Sequence, residues 1–221
     1  EELAGRMHLS AEDTDLARLI ALLHDIGRFE QLKRYDSFEP GTMDHAAYGV
    51  KVLFDEGMIR RFLPDDKWDS IIYTAIAHHS DYELPEISDP QTLLHAKLIR
   101  DEDKLDNCRV KLVDSTSTFI NVSEEELGTQ NITQKVYETV FENKCILSAD
   151  RVTQMDYWVS YIVYFFDINF KESFDIIAEN DYLNRIIDRI PYSNPVTKEQ
   201  MENIRVYMQN FINSHTNSQS F

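Results

Sequence analysis

The chain has only two cysteines in 221 residues, Cys108 and Cys145. Two thiols so far apart build no disulfide framework, and they fit a reducing, cytoplasmic setting. In that setting the sequons Asn121-Val122-Ser123 and Asn131-Ile132-Thr133 are chance matches, not glycan acceptors. Long apolar runs are missing as well. The most aromatic stretch, residues 157–170, is interrupted by Asp167 and falls short of the roughly 20 apolar residues a membrane helix needs. Basic residues are scarce, since 22 Lys and Arg stand against 39 Asp and Glu and leave a net charge of -17. A chain of that sign is repelled by phosphate backbones and anionic lipids, which argues against binding to a nucleic-acid polymer or a membrane surface. Strand-like alternation, internal repeats and low-complexity tracts are also lacking, apart from a polar tail at 214–220.

What the chain does have is helical periodicity along nearly its whole length. Leu16, Leu19, Ile20, Leu23 and Ile26 recur at three-and-four spacing, and Ser10 with Asp13 reads as the cap of that helix. A loop over 35–43, containing Pro40-Gly41, leads to a helix beginning at His45 with Val50, Leu53 and Phe54 on its apolar side. Pro64 marks the predicted start of a third helix, which carries Ile71, Ile72, Ala75 and Ile76 up to His78-His79. A fourth holds Leu93, Leu94, Ala96, Leu98 and Ile99 and runs through Asp103. Shorter helices are predicted over 110–150, then longer ones over 155–166, 174–190 and 198–214. The fold class is all-α, and 221 residues with 43% hydrophobic content suffice for one domain with a sizeable core.

The residues that carry chemistry sit on these helices. His24-Asp25 closes the first apolar run, offering an imidazole nitrogen beside a carboxylate able to bridge two ions. Further donors follow at His45, at His78-His79 and at Asp103. Neighbours on one helix diverge by about 100°, so the ligands of a single ion must converge from several helices. Arg28, Lys33, Arg34, Arg100 and Lys104 are cations close in sequence to these donors, a local exception to the acidic balance. Arg28, one turn past the His-Asp pair, is the best placed to hold a phosphoryl oxygen by a bidentate contact. His95, two turns before Asp103, reads as a hydrogen-bonded core or surface residue.

The segment Ala21-Leu22-Leu23-His24-Asp25-Ile26-Gly27-Arg28, the order His-Asp, His, His-His, Asp, and the segment Leu98-Ile99-Arg100-Asp101-Glu102-Asp103-Lys104-Leu105-Asp106 together resemble the HD-domain superfamily of metal-dependent phosphohydrolases. The resemblance covers about residues 10–110, with a helical extension over about 111–214, the whole of 1–221 reading as a single helical HD-type domain. It implies a helical bundle with one or two divalent ions (Mn, Fe, Zn, Ni or Mg) held by His24, Asp25, His45, His78, His79 and Asp103. His45 and His78-His79 stand where the dinuclear members hold a second ion. Asp25 and Arg28 are the implied catalytic pair, and Arg28, Arg34, Arg100 and Lys104 the substrate contacts. Asp106, one turn beyond Asp103, is the carboxylate expected behind the ligands.

The resemblance also sets limits. Family members place a further metal-binding His on a helix before the His-Asp pair, whereas only His8 precedes it here and the chain opens on Glu1-Glu2. The helix carrying that ligand is therefore expected before residue 1, with His8 at a solvated helix end; the alternative is that His8 is itself the ligand. The Gly-Tyr-Pro element of the enzymes that cut cyclic di-GMP is absent after His78-His79, where Ser80-Asp81-Tyr82-Glu83-Leu84-Pro85 follows. The synthetase domain that accompanies the alarmone hydrolases is absent too. What remains is similar to small bacterial HD phosphohydrolases with a segment like His24 through Gln31. The expected substrate is a small phosphorylated molecule, above all a nucleotide, with homodimerisation left open. The alternative is a catalytically silent signalling or ligand-sensing module, in which Tyr157, Trp158, Tyr161, Tyr164, Phe165 and Phe166 form a partner surface instead of a core.

Overall fold

In the computed structural model the described residues are 1–37 and 41–216, and among them there is no strand. The predicted loop over 35–43 lies partly outside the described residues. The chain divides into two compact units, Glu1–Asp103 and Lys104–Phe221. That division falls earlier than the boundary at about 110, inside one long helix that continues from the first unit into the second.

The first unit runs α1 (Glu2–Arg6), α2 (Ala11–Leu23), α3 (Gly27–Tyr35), α4 (His45–Val50), α5 (Asp69–Ala77) and the first part of α6 (Pro90–Val113). Its core joins Leu16, Ile20 and Leu23 of α2 to Ile71, Ile72, Ala75 and Ile76 of α5 and Ile99 of α6. Ser10 caps α2, its hydroxyl accepting from the Asp13 N–H at 3.0 Å. The Asp13 carboxylate in turn accepts from Gln91 at 2.8 Å and lies 3.2 Å from His95 Nε2, which ties the start of α2 to the start of α6. His95 is thus a buried, hydrogen-bonded side chain. His8 occupies the turn between α1 and α2 with φ 53.

A close approach and a helix cap shape the region around His24. A Cβ on Gly27 would stand 2.0 Å from the His45 carbonyl oxygen, so α3 can meet the start of α4 only with glycine there. Asp44 caps α4 by accepting from the Ala47 N–H at 2.8 Å, which leaves His45 as the first helical residue. Beyond Val50 the helix widens over Lys51–Asp55, where the Glu56 N–H reaches back five residues to the Lys51 carbonyl.

The third helix starts later than its sequence predicts, at Asp69 and not at Pro64. Asp65 is the reason, because its carboxylate accepts from the Lys67 N–H and holds this stretch in a side-chain-closed turn.

In the second unit, α7 (Thr116–Phe119), α8 (Glu124–Leu127), α9 (Gln134–Val140), α10 (Gln154–Val163), α11 (Lys171–Glu179), α12 (Tyr182–Asp188) and α13 (Pro195–Thr216) follow the end of α6. The single helix predicted over 174–190 is two. Its apolar periodicity runs through both halves, but Asp181 takes φ 51, a left-handed conformation that ends one helix and caps the next. The aromatic stripe packs inward, with Trp158 and Phe165 at most 1% exposed and the Tyr161 and Phe119 rings each 4.0 Å from Lys111 Nζ. Among the described residues no helix is long and apolar enough to cross a membrane.

Candidate metal centre

Four segments of the first unit meet around one carboxylate. Asp25, in the turn between α2 and α3, sets its Oδ1 3.3 Å from His45 Nε2 and 3.6 Å from His79 Nε2, and its Oδ2 3.7 Å from His24 Nε2. Asp103, on α6, places Oδ1 3.9 Å from the same His24 Nε2. His45 Nε2 and His79 Nε2 are 3.1 Å apart, and the His24 and His45 rings each stand edge-on to His79 with centroids 5.0 Å away.

The backbone decides which nitrogen faces inward. His24 Nδ1 lies 2.8 Å from the Ala21 carbonyl, and His79 Nδ1 lies 2.8 Å from the Ile76 carbonyl. A carbonyl only accepts, so each Nδ1 carries a proton and each ring turns Nε2 toward the carboxylates. That arrangement orients a ligating histidine before any ion arrives.

Electrostatics point the same way. Burial raises the Asp25 carboxyl, but His45, His79 and Arg28 outweigh it and hold the group well below the carboxylate range. Burial likewise raises Asp103, and His24 with His79 reverses the direction. Burial lowers His24, yet Asp103 and Asp25 push it above its ordinary value.

These residues fit a divalent ion. The donors are imidazole nitrogen and carboxylate oxygen, and one atom each from His24, Asp25 and His79 lies within 4.8 Å of the others. Donor atoms around an ion with bonds of about 2.0–2.2 Å are spaced about 3.0–3.5 Å, close to the spacings found here.

The sequence pattern of the HD domain family matches residues 1–108. The chain belongs to the HD-domain superfamily. Searches of curated proteins and of solved structures returned no match. The HD match spans the whole cluster, and members of the superfamily are generally metal-dependent hydrolases.

Not every candidate residue of the HD domain joins the cluster. His24, Asp25, His45, His79 and Asp103 come together, whereas His78 turns aside to Asp81, its Nδ1 2.6 Å from Oδ2. The difference arises because α5 ends at Ala77 and successive residues of the following turn face different ways. Arg28 reaches the cluster directly, Nε lying 3.1 Å from both oxygens of Asp25.

The other cations are engaged elsewhere. Arg34 pairs with Glu30 at 2.6 Å. Arg100 is 2% exposed and donates to main-chain carbonyls, so it is not an open substrate contact. Lys104 is buried against Asp167 at 2.6 Å in the second unit. Asp106 is exposed and pairs with Arg109 at 2.7 Å.

Two supporting residues carried weak signals in the sequence. Gln31, 1% exposed, accepts from Arg28 Nη1 at 3.4 Å and donates to Thr42 Oγ1 at 2.8 Å, linking the Arg28 side chain to the segment before His45. An amide on the inward face of α3 was its only mark. Gly27 was visible as part of the His24 to Arg28 segment, but nothing local shows that it contacts the His45 backbone.

Proposed function

We propose that this chain is a metal-dependent phosphohydrolase that cleaves a phosphate ester or anhydride of a small cytoplasmic molecule, a nucleotide being the leading class. The observation that supports this most is the meeting of His24, His45, His79 and Arg28 on the single carboxylate of Asp25. His24, Asp25 and Asp103 would hold one ion, and Asp25, His45 and His79 would be the donors for a second. Bound there, a divalent ion supplies Lewis acidity and lowers the pKa of water toward about 7.

The chain's own groups do the rest. Asp25 orients Arg28, whose side chain remains 34% exposed and able to contact a phosphoryl oxygen. Asp103 and Asp25 are both held ionised, the form that would ligate a divalent ion. Selectivity for a small substrate over a nucleic-acid polymer agrees with the net charge of -17.

The test is phosphate release from p-nitrophenyl phosphate, bis(p-nitrophenyl) phosphate and a panel of nucleotides, with protein loaded with Mn, Fe, Zn, Ni or Mg. The proposal expects turnover of at least one substrate that chelation abolishes and Asp25→Ala lacks. Equal rates from the wild type and Asp25→Ala would overturn it.

A further inference from the structure

Arg100 lies at the foot of the metal centre, one turn before Asp103 on α6. It is a cation buried to 2% exposure, so its charge must be answered from within the protein. Its Nη1 donates to the carbonyl of Asp81 at 2.7 Å, to that of His78 at 3.0 Å and, more weakly, to that of His79 at 3.4 Å. All three carbonyls belong to the turn that leaves α5, past its last helical residue Ala77, and that of His78 also accepts the Asp81 N–H at 3.4 Å. A guanidinium at this point also complements the negative end of the α5 dipole.

That turn is where His78 and His79 part company. His79 enters the cluster with Nδ1 on the Ile76 carbonyl, while His78 swings out to Asp81. Arg100 holds both residues and the far end of the turn. It therefore fixes the backbone that decides which of the adjacent histidines faces Asp25.

The geometry points to Arg100 as a positioning residue for the metal centre, one whose guanidinium gathers the carbonyls of the turn after α5 and thereby locks His79 into its ligand orientation. Because Asp103 sits on the same helix, α6 contributes one donor directly and sets a second through this clamp. The inference rests on the metal-binding reading above, and it replaces substrate contact as the role of Arg100. Lysine is a poor substitute, since an ammonium on a flexible stem does not present the planar fork of donors that spans several carbonyls.

The experiment is a double-mutant cycle read by Co(II) titration, followed by the visible absorption of the bound ion and by affinity. In the wild-type background, Arg100→Met is expected to weaken binding about 10- to 100-fold and to alter the Co(II) spectrum, as loss of an orienting partner does. In the His79→Ala background the same substitution should change affinity less than about threefold, because the ligand it positions is gone. Arg100→Lys should fall between, with the same loss of coupling, and it supplies the result if Arg100→Met does not fold. Equal weakening in both backgrounds would reduce Arg100 to general support of the fold and overturn the inference. Unchanged affinity with a raised KM would overturn it in favour of substrate contact. A wild-type protein that binds no Co(II) would overturn the metal reading itself, and the inference with it.

Discussion

His45 Nε2 lies 3.1 Å from His79 Nε2 across 34 residues of sequence, and both nitrogens face the same oxygen of Asp25. His78, the immediate neighbour of His79, is bound instead to Asp81. The two adjacent histidines therefore separate by experiment. His79→Ala should lower metal content and phosphate release together, by about tenfold or more. His78→Ala should retain metal at the wild-type level. Metal analysis of the two purified variants checks this, and loss of metal from His78→Ala alone would contradict the placement.

Gly27→Ala tests the close packing of α3 on α4. The added methyl would collide with the His45 carbonyl at 2.0 Å, so one helix has to move. A loss of about 1–3 kcal/mol is expected, seen as a fall of roughly 3–10 °C in melting temperature. Metal content should fall as well, since the backbone displaced is that of His45. A melting temperature within a degree of wild type would contradict the contact.

Arg28→Met should keep the metal, because the donors remain, while kcat/KM falls about 10- to 100-fold through loss of a charge-assisted contact to substrate. Arg34→Met and Lys104→Met should change kcat/KM less than about threefold, their partners being Glu30 and Asp167. Steady-state kinetics on metal-saturated protein distinguishes these outcomes. An Arg34 or Lys104 effect as large as that of Arg28 would refute the assignment.

The contrast between Arg28 and the other cations shows what was legible in the sequence. His24 and Asp25 are adjacent, and their helix was readable from Leu16, Ile20 and Leu23, so this half of the centre could be located from periodicity and residue chemistry. His45 was readable as a helix start and a candidate donor, and it proves to be both a helix start and a member of the cluster. The choice between His78 and His79 was not readable. It depends on where α5 ends and on three carbonyls held by a residue 19 to 22 positions away, and carbonyls leave no mark in a sequence. Arg100 and Lys104 were grouped with the substrate contacts because they flank Asp103, but sequence proximity does not say which side of α6 they occupy. The break in the predicted helix over 174–190 was hidden for a related reason, since one left-handed residue at Asp181 leaves the apolar periodicity intact.

Acidification should destabilise the wild type more than His95→Gln. Burial lowers His95 below its ordinary 6.5, and the attraction of Asp13 only partly offsets this. Below about pH 6.5 the unfolded chain takes up a proton at this position that the folded protein resists, so stability is lost as pH falls toward the lowered value. Asp13, lowered from its ordinary value first by Ser10 and then by Gln91, adds a loss of the same sign below about pH 4. His24, shifted upward, works in the opposite direction, and comparison of the two proteins cancels it. Melting temperatures from pH 7.5 to 5 should fall more steeply for the wild type. Parallel curves would show that His95 is not held neutral.

Metal per chain, measured by plasma mass spectrometry on wild-type protein and on Asp25→Asn, is the most direct test of the metal centre. Asparagine keeps the shape of the side chain and removes the charge that faces His24, His45, His79 and Arg28. One or two equivalents of a divalent metal in the wild type, with less than about a tenth in Asp25→Asn, is the result predicted. A wild type that takes up no metal after incubation with Mn, Fe, Zn, Ni and Mg, or an Asp25→Asn protein that retains it in full, would contradict the account.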